Sequence, residues 1–342
     1  MGAIGGPTPA SAQVVLAGLQ DPDPLVRAAA VESVGRWGKP TEPALFSLML
    51  LLDDANDQVK VEVTRVLPRL AGPTPAVIDG LCRRLLEDDS DWVQVHAALA
   101  LGKLGPAAAA AGGPLLHAAQ NGEVGVREQA MRSIAMIQPA ETTQAFAAGL
   151  RDACGDVRRV ASAGWMNATA IPDEAIPALI EALRDPEVQV RANSAHALAR
   201  LDVIPAAAIP LLIECTADNN DGLRMNAATA LKLVPAGAVI EVMQHLVMDP
   251  NSRIRLIAAS SLLFAEPGHS KAGAVLMEAL GDPALRVREA ALALLESLGT
   301  GGAALLEGLK KRDGPDGENP EPGEALDLLS ERLASQGGQL VA

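Results

Sequence analysis

Apolar residues recur along this chain in short blocks of helical spacing, each closed by an acidic or proline-containing turn. In one unit Ile176, Leu179, Ile180 and Leu183 share a face. Arg184-Asp185-Pro186 interrupts that block, and Val190, Ser194, Ala197, Leu198 and Leu201 then form a second one. Proline cannot continue a helix but tolerates its first turn, so Asp-Pro ends one helix and prepares the next. The pattern predicts two helices per unit, here from about Glu174 to Leu183 and from about Pro186 to Leu201.

The unit is repeated. An acidic turn residue is followed six places later by a basic or polar one in nine copies: Asp21 and Arg27, Asp54 and Lys60, Asp88 and Gln94, Asn121 and Arg127, Asp152 and Arg158, Asp185 and Arg191, Asp218 and Arg224, Asp249 and Arg255, Asp282 and Arg288. Successive later partners lie 33, 34, 33, 31, 33, 33, 31 and 33 residues apart. A fixed period of this length is the signature of stacked repeats. Three places after the basic position stands a small residue (Ala30, Ala97, Ala130, Ala161, Ser194, Ala227, Ala258, Ala291), broken only by Val63. Seven places after it stands a larger one: Val34, Leu67, Leu101, Ile134, Trp165, Leu198, Leu231, Leu262 and Leu295. Small side chains at one phase let helices approach closely, as a stack requires. The Asp carboxylate is expected to accept backbone N–H groups at the start of the second helix, and the basic side chain to reach back to it or to the neighbouring turn. A ladder of such pairs would set the register of the stack.

These residues resemble HEAT repeats, and the short period resembles the phycobilisome-lyase type, in which an Asp in the turn and an Arg six residues on are diagnostic. The resemblance covers roughly Ala12 to Gly299. It implies an all-α fold: a right-handed α-solenoid of about nine to ten two-helix repeats with a C-terminal capping helix. Ankyrin repeats share the period, but Pro114-Leu115-Leu116-His117-Ala118-Ala119 resembles their motif only once. Tetratricopeptide repeats want spaced aromatics, and aromatics are 2% of this chain, with no Tyr.

The expected organisation is a repeat solenoid over residues 1–311, an acidic Gly/Pro-rich linker over 312–323 and an amphipathic helix over 324–336. Leu326, Leu328, Leu329 and Leu333 form the apolar side of that helix, expected to cap the last repeat, the alternative being that it binds a partner or a second copy. Gln94 and Asn121 depart from the motif, and Gly112-Gly113-Pro114 lies between them. A break in that helix and a bend near 105–125 are therefore expected.

The net charge is −14, and the stretch from Asp313 onward holds seven acids against one Arg. An acidic body argues against a sequence-independent nucleic-acid binder, which needs a dense basic face. Three scattered Cys (Cys82, Cys154, Cys215) form no CxxC pair and suit a reducing compartment. Residues Met1 to Ser11 lack the features of a signal peptide, and apolar runs such as Ala44 to Leu52 are too short to cross a bilayer. A soluble, cytoplasmic protein without membrane insertion is expected.

Candidate chemistry is sparse. The five His (His96, His117, His196, His245, His269) are not followed by Glu, so the His-Glu dipeptides of the HEAT-repeat iron hydroxylases are missing. No two lie at helical metal spacing, and no nucleophile-elbow, P-loop or dinucleotide fingerprint occurs. No enzyme activity, cofactor or metal is expected. HEAT-like DNA glycosylases would require a basic aromatic groove, and of the three Trp only Trp92, in a turn, is expected to be exposed.

The resemblance places second helices on a concave face, where positions five and nine after the basic residue point outward. Arg36, Arg65, Arg69, Lys103 and Arg132 then form a basic row in the first half, with Arg200 further on. Met225, Leu256, Ile257 and Phe264, with Leu233 and Leu263, form an apolar set in the second half. This predicts a non-catalytic protein-binding scaffold or adaptor whose partner is a protein or peptide with an acidic segment. The alternative is a phycobilin-lyase-like subunit or chaperone that handles a tetrapyrrole, as in the lyases that share this repeat type.

Overall fold

In the computed structural model, residues 8–299, apart from 38, and residue 302 are described. Among them are eighteen α-helices arranged as nine pairs, one for each copy of the motif. The first five pairs are α1 (Pro9–Gly18) with α2 (Pro24–Gly35), α3 (Glu42–Leu51) with α4 (Asp57–Ala71), α5 (Pro75–Glu87) with α6 (Asp91–Lys103), α7 (Gly112–Asn121) with α8 (Val124–Ile137), and α9 (Thr142–Gly149) with α10 (Gly155–Asn167). The remaining four are α11 (Ile176–Ala182) with α12 (Val188–Leu198), α13 (Ile209–Cys215) with α14 (Asp221–Leu231), α15 (Ala236–Leu246) with α16 (Ser252–Ala265), and α17 (Ser270–Leu280) with α18 (Leu285–Ser297). No strand occurs among the described residues. The fold is an all-α solenoid of two-helix repeats, and it divides into two compact units after Ala182.

Where its first helix and the next second helix belong to the same unit, a second helix packs on both, as α4 does on α3 and α6 and α14 does on α13 and α16. The motif phase explains this. The small residues three places after the basic position are all buried, and so are the larger ones seven places after it. Trp165, the largest of the latter, meets Phe146 edge-on with ring centroids 5.6 Å apart. Gly164 makes room for that contact, because a Cβ there would run into the Phe146 ring.

Each acidic turn residue has a role other than the one expected from sequence. Asp21, Asp54, Asp88, Asp152, Asp185, Asp218, Asp249 and Asp282 each accept the backbone N–H two residues on, at 2.7–3.1 Å. The Asp therefore closes an Asx-turn ahead of the second helix, and the helix cap is the residue that donates to it. At four of these caps Asp23, Asn56, Asn220 and Asn251 accept their own helix-start N–H groups.

The basic residue joins two turns. One arm of the guanidinium donates to the carbonyl of its own turn Asp at 2.7–3.0 Å, in Arg27, Arg158, Arg191, Arg224, Arg255 and Arg288. The rest reaches the Asp of the following repeat. In the first unit Arg27 grips Asp54 through two bonds of 2.7 and 2.8 Å, and Arg127 grips Asp152 through two of 2.7 and 2.9 Å. Lys60 donates to both oxygens of Asp88 at 2.8 Å. In the second unit Arg191 meets Asp218 at 2.6 Å, and Arg224 holds Asp249 at 2.8 and 3.1 Å. Arg255 turns instead to Glu278 at 2.6 Å.

The two departures from the motif belong to one rung. Gln94 keeps the bond to its own turn, Nε2 to the Asp88 carbonyl at 2.7 Å. The acceptor position of the next repeat is Asn121, whose amide donates within α7 to the His117 carbonyl at 3.0 Å. Gly112-Gly113-Pro114 does not break a helix here. It forms the first turn of α7, and the alanines before it lie in a 3-10 segment, Gly105–Ala111. Proline and glycine suit a helix start, where the missing N–H costs nothing. The linker expected over 312–323 and the helix expected over 324–336 lie outside the described residues.

The ladder should respond both to substitution and to acid. Asp249 is both turn closer and ion partner, so Asp249→Asn, which keeps the turn bond, should lower unfolding free energy by about 1–3 kcal/mol, and Asp249→Ala by more. Urea titrations of both variants check this; equal losses would mean that the turn bond contributes nothing.

The second response is to acid. Burial alone would raise the carboxyls of Asp54, Asp152 and Asp249, but the guanidinium bonds and the turn N–H outweigh it and hold each below its ordinary value. Asp218 is lowered first by its turn N–H from Asn220 and then by Arg191. The unfolded chain takes up these protons near pH 4, the fold only lower down. Their stabilisation is thus complete above about pH 5 and lost as pH falls below about 4. The urea midpoint should be flat from neutrality to that region and drop beneath it, with a smaller drop in Asp249→Asn.

Candidate functional site

Second helices present one ungirdled face. Of the residues nine places after the basic position, Arg36, Arg69, Lys103, Met136, Arg200, Leu233, Phe264 and Ser297 are all exposed. In the second unit the faces of α12, α14, α16 and α18 together line a groove of about 760 Å³. Its floor is apolar: Met225, Leu256, Ile257, Val287 and Leu294, with alanines between them. Around that floor stand Arg200, Lys232, Arg253 and Arg286, with His196, and no Asp or Glu is among the lining residues. Lys232, Arg253 and Arg286 are exposed and make no ion pair among the described residues.

The first unit offers a smaller and electrically quieter site. Arg36, Arg65 and Arg69 line a cleft of about 370 Å³ with Glu32, Trp37, Val66 and Leu70. Arg36 pairs with Glu32 at 2.7 Å and Arg65 with Glu62 at 2.5 Å, each along its own helix. Arg69 donates to the Gly35 carbonyl of the preceding second helix. Arg132 pairs with Glu128 at 2.6 Å, and Lys103 is exposed with no ion pair among the described residues; neither lines that cleft. A paired cation offers little field to a ligand, because its own carboxylate already answers it.

The sequence expectation and the geometry differ in detail. Arg200, Met225, Leu256 and Ile257 come together in the larger groove, but Leu256 is buried beneath it and does not stand out from the face. Leu263 is fully buried, and Phe264 is exposed outside the groove lining. Lys232, Arg253 and Arg286 were missed. Arg253 and Arg286 stand two places before Arg255 and Arg288, a phase that holds Leu25, Gln58, Trp92, Gly125, Asp156, Gln189 and Gly222 in earlier repeats. Reading that column down the repeats would have found the pair.

The comparisons with known proteins bear on the repeat. A family model described as HEAT repeats matches residues 78–165, 161–232 and 209–296, and one described as HEAT repeat matches residues 13–39. No curated protein matches the sequence. Among solved structures the chain is similar to an engineered protein, with 19% identity, a TM-score of 0.58, and 94% of this chain and 97% of that chain covered. It is also similar to the Escherichia coli protein YibA, with 20% identity, a TM-score of 0.54, and 78% and 96% covered. The complex of CpcE and CpcF of phycocyanin lyase from a Nostoc species aligns at 19% identity, covering 65% of this chain and 94% of that one, with a TM-score of 0.43. At these identities the first two likenesses speak for the fold alone, and the third carries no argument.

Chemistry-bearing groups are dispersed through the repeats. Among the described residues no cluster of three His, Cys, Asp or Glu could hold a metal ion. His96 lies edge-on to the exposed Trp92 at 5.5 Å and shares a 2.8 Å bond with its carbonyl. No described helix is long and apolar enough to cross a membrane. Burial pushes the Cys82 and Cys215 thiols up to about 11, and a thiolate is the nucleophile. Both should therefore resist Ellman's reagent in the folded protein at pH 7.5 and react on unfolding, which a timed absorbance assay with peptide mapping would check.

Proposed function

The chain belongs to the HEAT-repeat family, and from that premise we propose that it is a non-catalytic protein-binding scaffold whose second-unit groove receives an acidic segment of a partner protein. The observation that carries this reading is the make-up of the groove. Four cationic side chains and a His surround an apolar floor, with no carboxylate among the lining residues, in a chain of net charge −14. A concentration of one sign of charge against the sign of the whole molecule steers an oppositely charged ligand and fixes its register. The floor then supplies the apolar contact on which such an interface depends for most of its strength.

The groove spans four adjacent repeats, so an extended or helical segment laid across it would touch every second helix from α12 to α18. Acidic side chains of that segment would meet Arg200, Lys232, Arg253 and Arg286, and its apolar side chains would enter over Met225 and Ile257. The cleft of the first unit, with Arg36 and Arg65 already neutralised by glutamates on their own helices, is assigned a lesser share.

Affinity recovery from the native host, read by mass spectrometry, tests the assignment. Arg253→Glu with Arg286→Glu is expected to lower recovery of the specific partner by about tenfold or more, and to make what remains insensitive to salt. Arg36→Glu with Arg65→Glu should change it by about twofold or less. Equal effects of the two pairs would remove the groove from the proposal. Visible absorbance in the purified protein would instead favour the tetrapyrrole-handling alternative.

A further inference from the structure

We propose that the groove of the second unit is occupied, in the free protein, by the chain's own acidic C-terminal segment, residues 313–335. The proposal rests on the scaffold reading, since it makes this segment the competitor of the partner. Three observations carry it. The first is charge: the groove shows Arg200, Lys232, Arg253 and Arg286 and no acid, and the stretch from Asp313 onward holds seven acids and one Arg. The second is apolar spacing. Leu326, Leu329 and Leu333 recur at intervals that put them on one side of a helix, with Leu328 beside them, and the groove floor offers Met225, Leu256, Ile257, Val287 and Leu294.

The third is reach. Ser297, the last residue of α18, itself lines the groove, and Gly302 still bonds to the Leu298 carbonyl, so the last described residues lie beside the groove's edge. From residue 303 to residue 323 the chain has some twenty residues to cover the distance, with an extended limit near 70 Å. Four helices packed about 8–10 Å apart make a groove about 30 Å across. The linker is thus long enough to deliver Glu324 to Leu333 over the middle of the groove, and short enough to keep their local concentration in about the millimolar range. A partner must then present a segment of the same chemistry with enough affinity to displace the tail, which makes the tail a filter against weak acidic peptides.

The test uses the full chain. Leu329 is replaced by the photo-crosslinking residue p-benzoylphenylalanine, the protein is irradiated at sub-micromolar concentration, and the adducts are mapped by mass spectrometry. The expected result is an intramolecular adduct on the α14 and α16 segments that line the groove, at Met225 or Ile257. Arg253→Glu with Arg286→Glu should abolish it, and reversing Glu321, Glu324, Asp327 and Glu331 to Lys in that same variant should restore it. Far-ultraviolet circular dichroism of each variant establishes that the stack is folded. Adducts on α17 or on the outer side of α18 would overturn the proposal in favour of a cap, and adducts only between two chains would overturn it in favour of a second copy. Should the groove reversal abolish partner recovery while Leu329 crosslinks elsewhere, the tail inference falls and the scaffold reading stands. An adduct in the groove with partner recovery indifferent to the reversal would do the opposite.

Discussion

The bond from one repeat's Arg to the next repeat's Asp is what the remaining architecture depends on. A helix pair of this size cannot bury its apolar side alone, so every pair needs its neighbours, and something must fix how far each is rotated against the next. Arg27 with Asp54, Arg127 with Asp152 and Arg224 with Asp249 do this with a forked guanidinium that meets a carboxylate at two points and the preceding turn at a third. Two bonds set direction where one would only set distance. Once that rotation is set, the small residues three places on face the neighbouring helix and the larger ones seven places on fill the space between. The outward column nine places on is then aligned from repeat to repeat, and a groove across several repeats becomes available.

Most of the fold was legible in the sequence because it is written nine times. The period, the two-helix unit and the buried phases rest on repetition, which averages away the ambiguity of any single turn. The role of the Asp was harder to read. An Asp before a helix is ordinarily taken as its cap, and only the bond from Asn56 N–H to Asp54 or from Asn251 N–H to Asp249 distinguishes an Asx-turn one step earlier. The Gly-Gly-Pro run was misjudged for a related reason: the same residues that break a helix interior are welcome at its first turn, and where the turn falls depends on packing around α7.

The groove was partly legible. Arg200, Met225, Leu256 and Ile257 were singled out by phase, and they lie together. The balance of charge was misread, since the glutamates four or three places before Arg36, Arg65 and Arg132 stand in the sequence and neutralise them. Arg253 and Arg286 escaped because they occupy a phase on the first turn of the second helix, where side chains of other repeats are unremarkable. A surface that spans repeats is a property of a column, and a column whose members change from Leu25 to Arg286 has no motif to announce it.

The neutral rung has a consequence for the history and engineering of such a chain. Gln94 and Asn121 are donor and acceptor of the same step, so the two changes cancel and leave no charge without its answer. The stack behaves like a row of couplings in two gauges. Deleting the third repeat alone would set Lys60 against Asn121, and deleting the fourth alone would set Gln94 against Asp152; each leaves one charge stranded. Deleting both brings Lys60 to Asp152, and the gauge matches again. Where an Arg or Lys meets the Asp of the next repeat on both sides, a single repeat can be gained or lost without rewriting a neighbour. At this one step they can be exchanged only as a pair, so two repeats have become one heritable part.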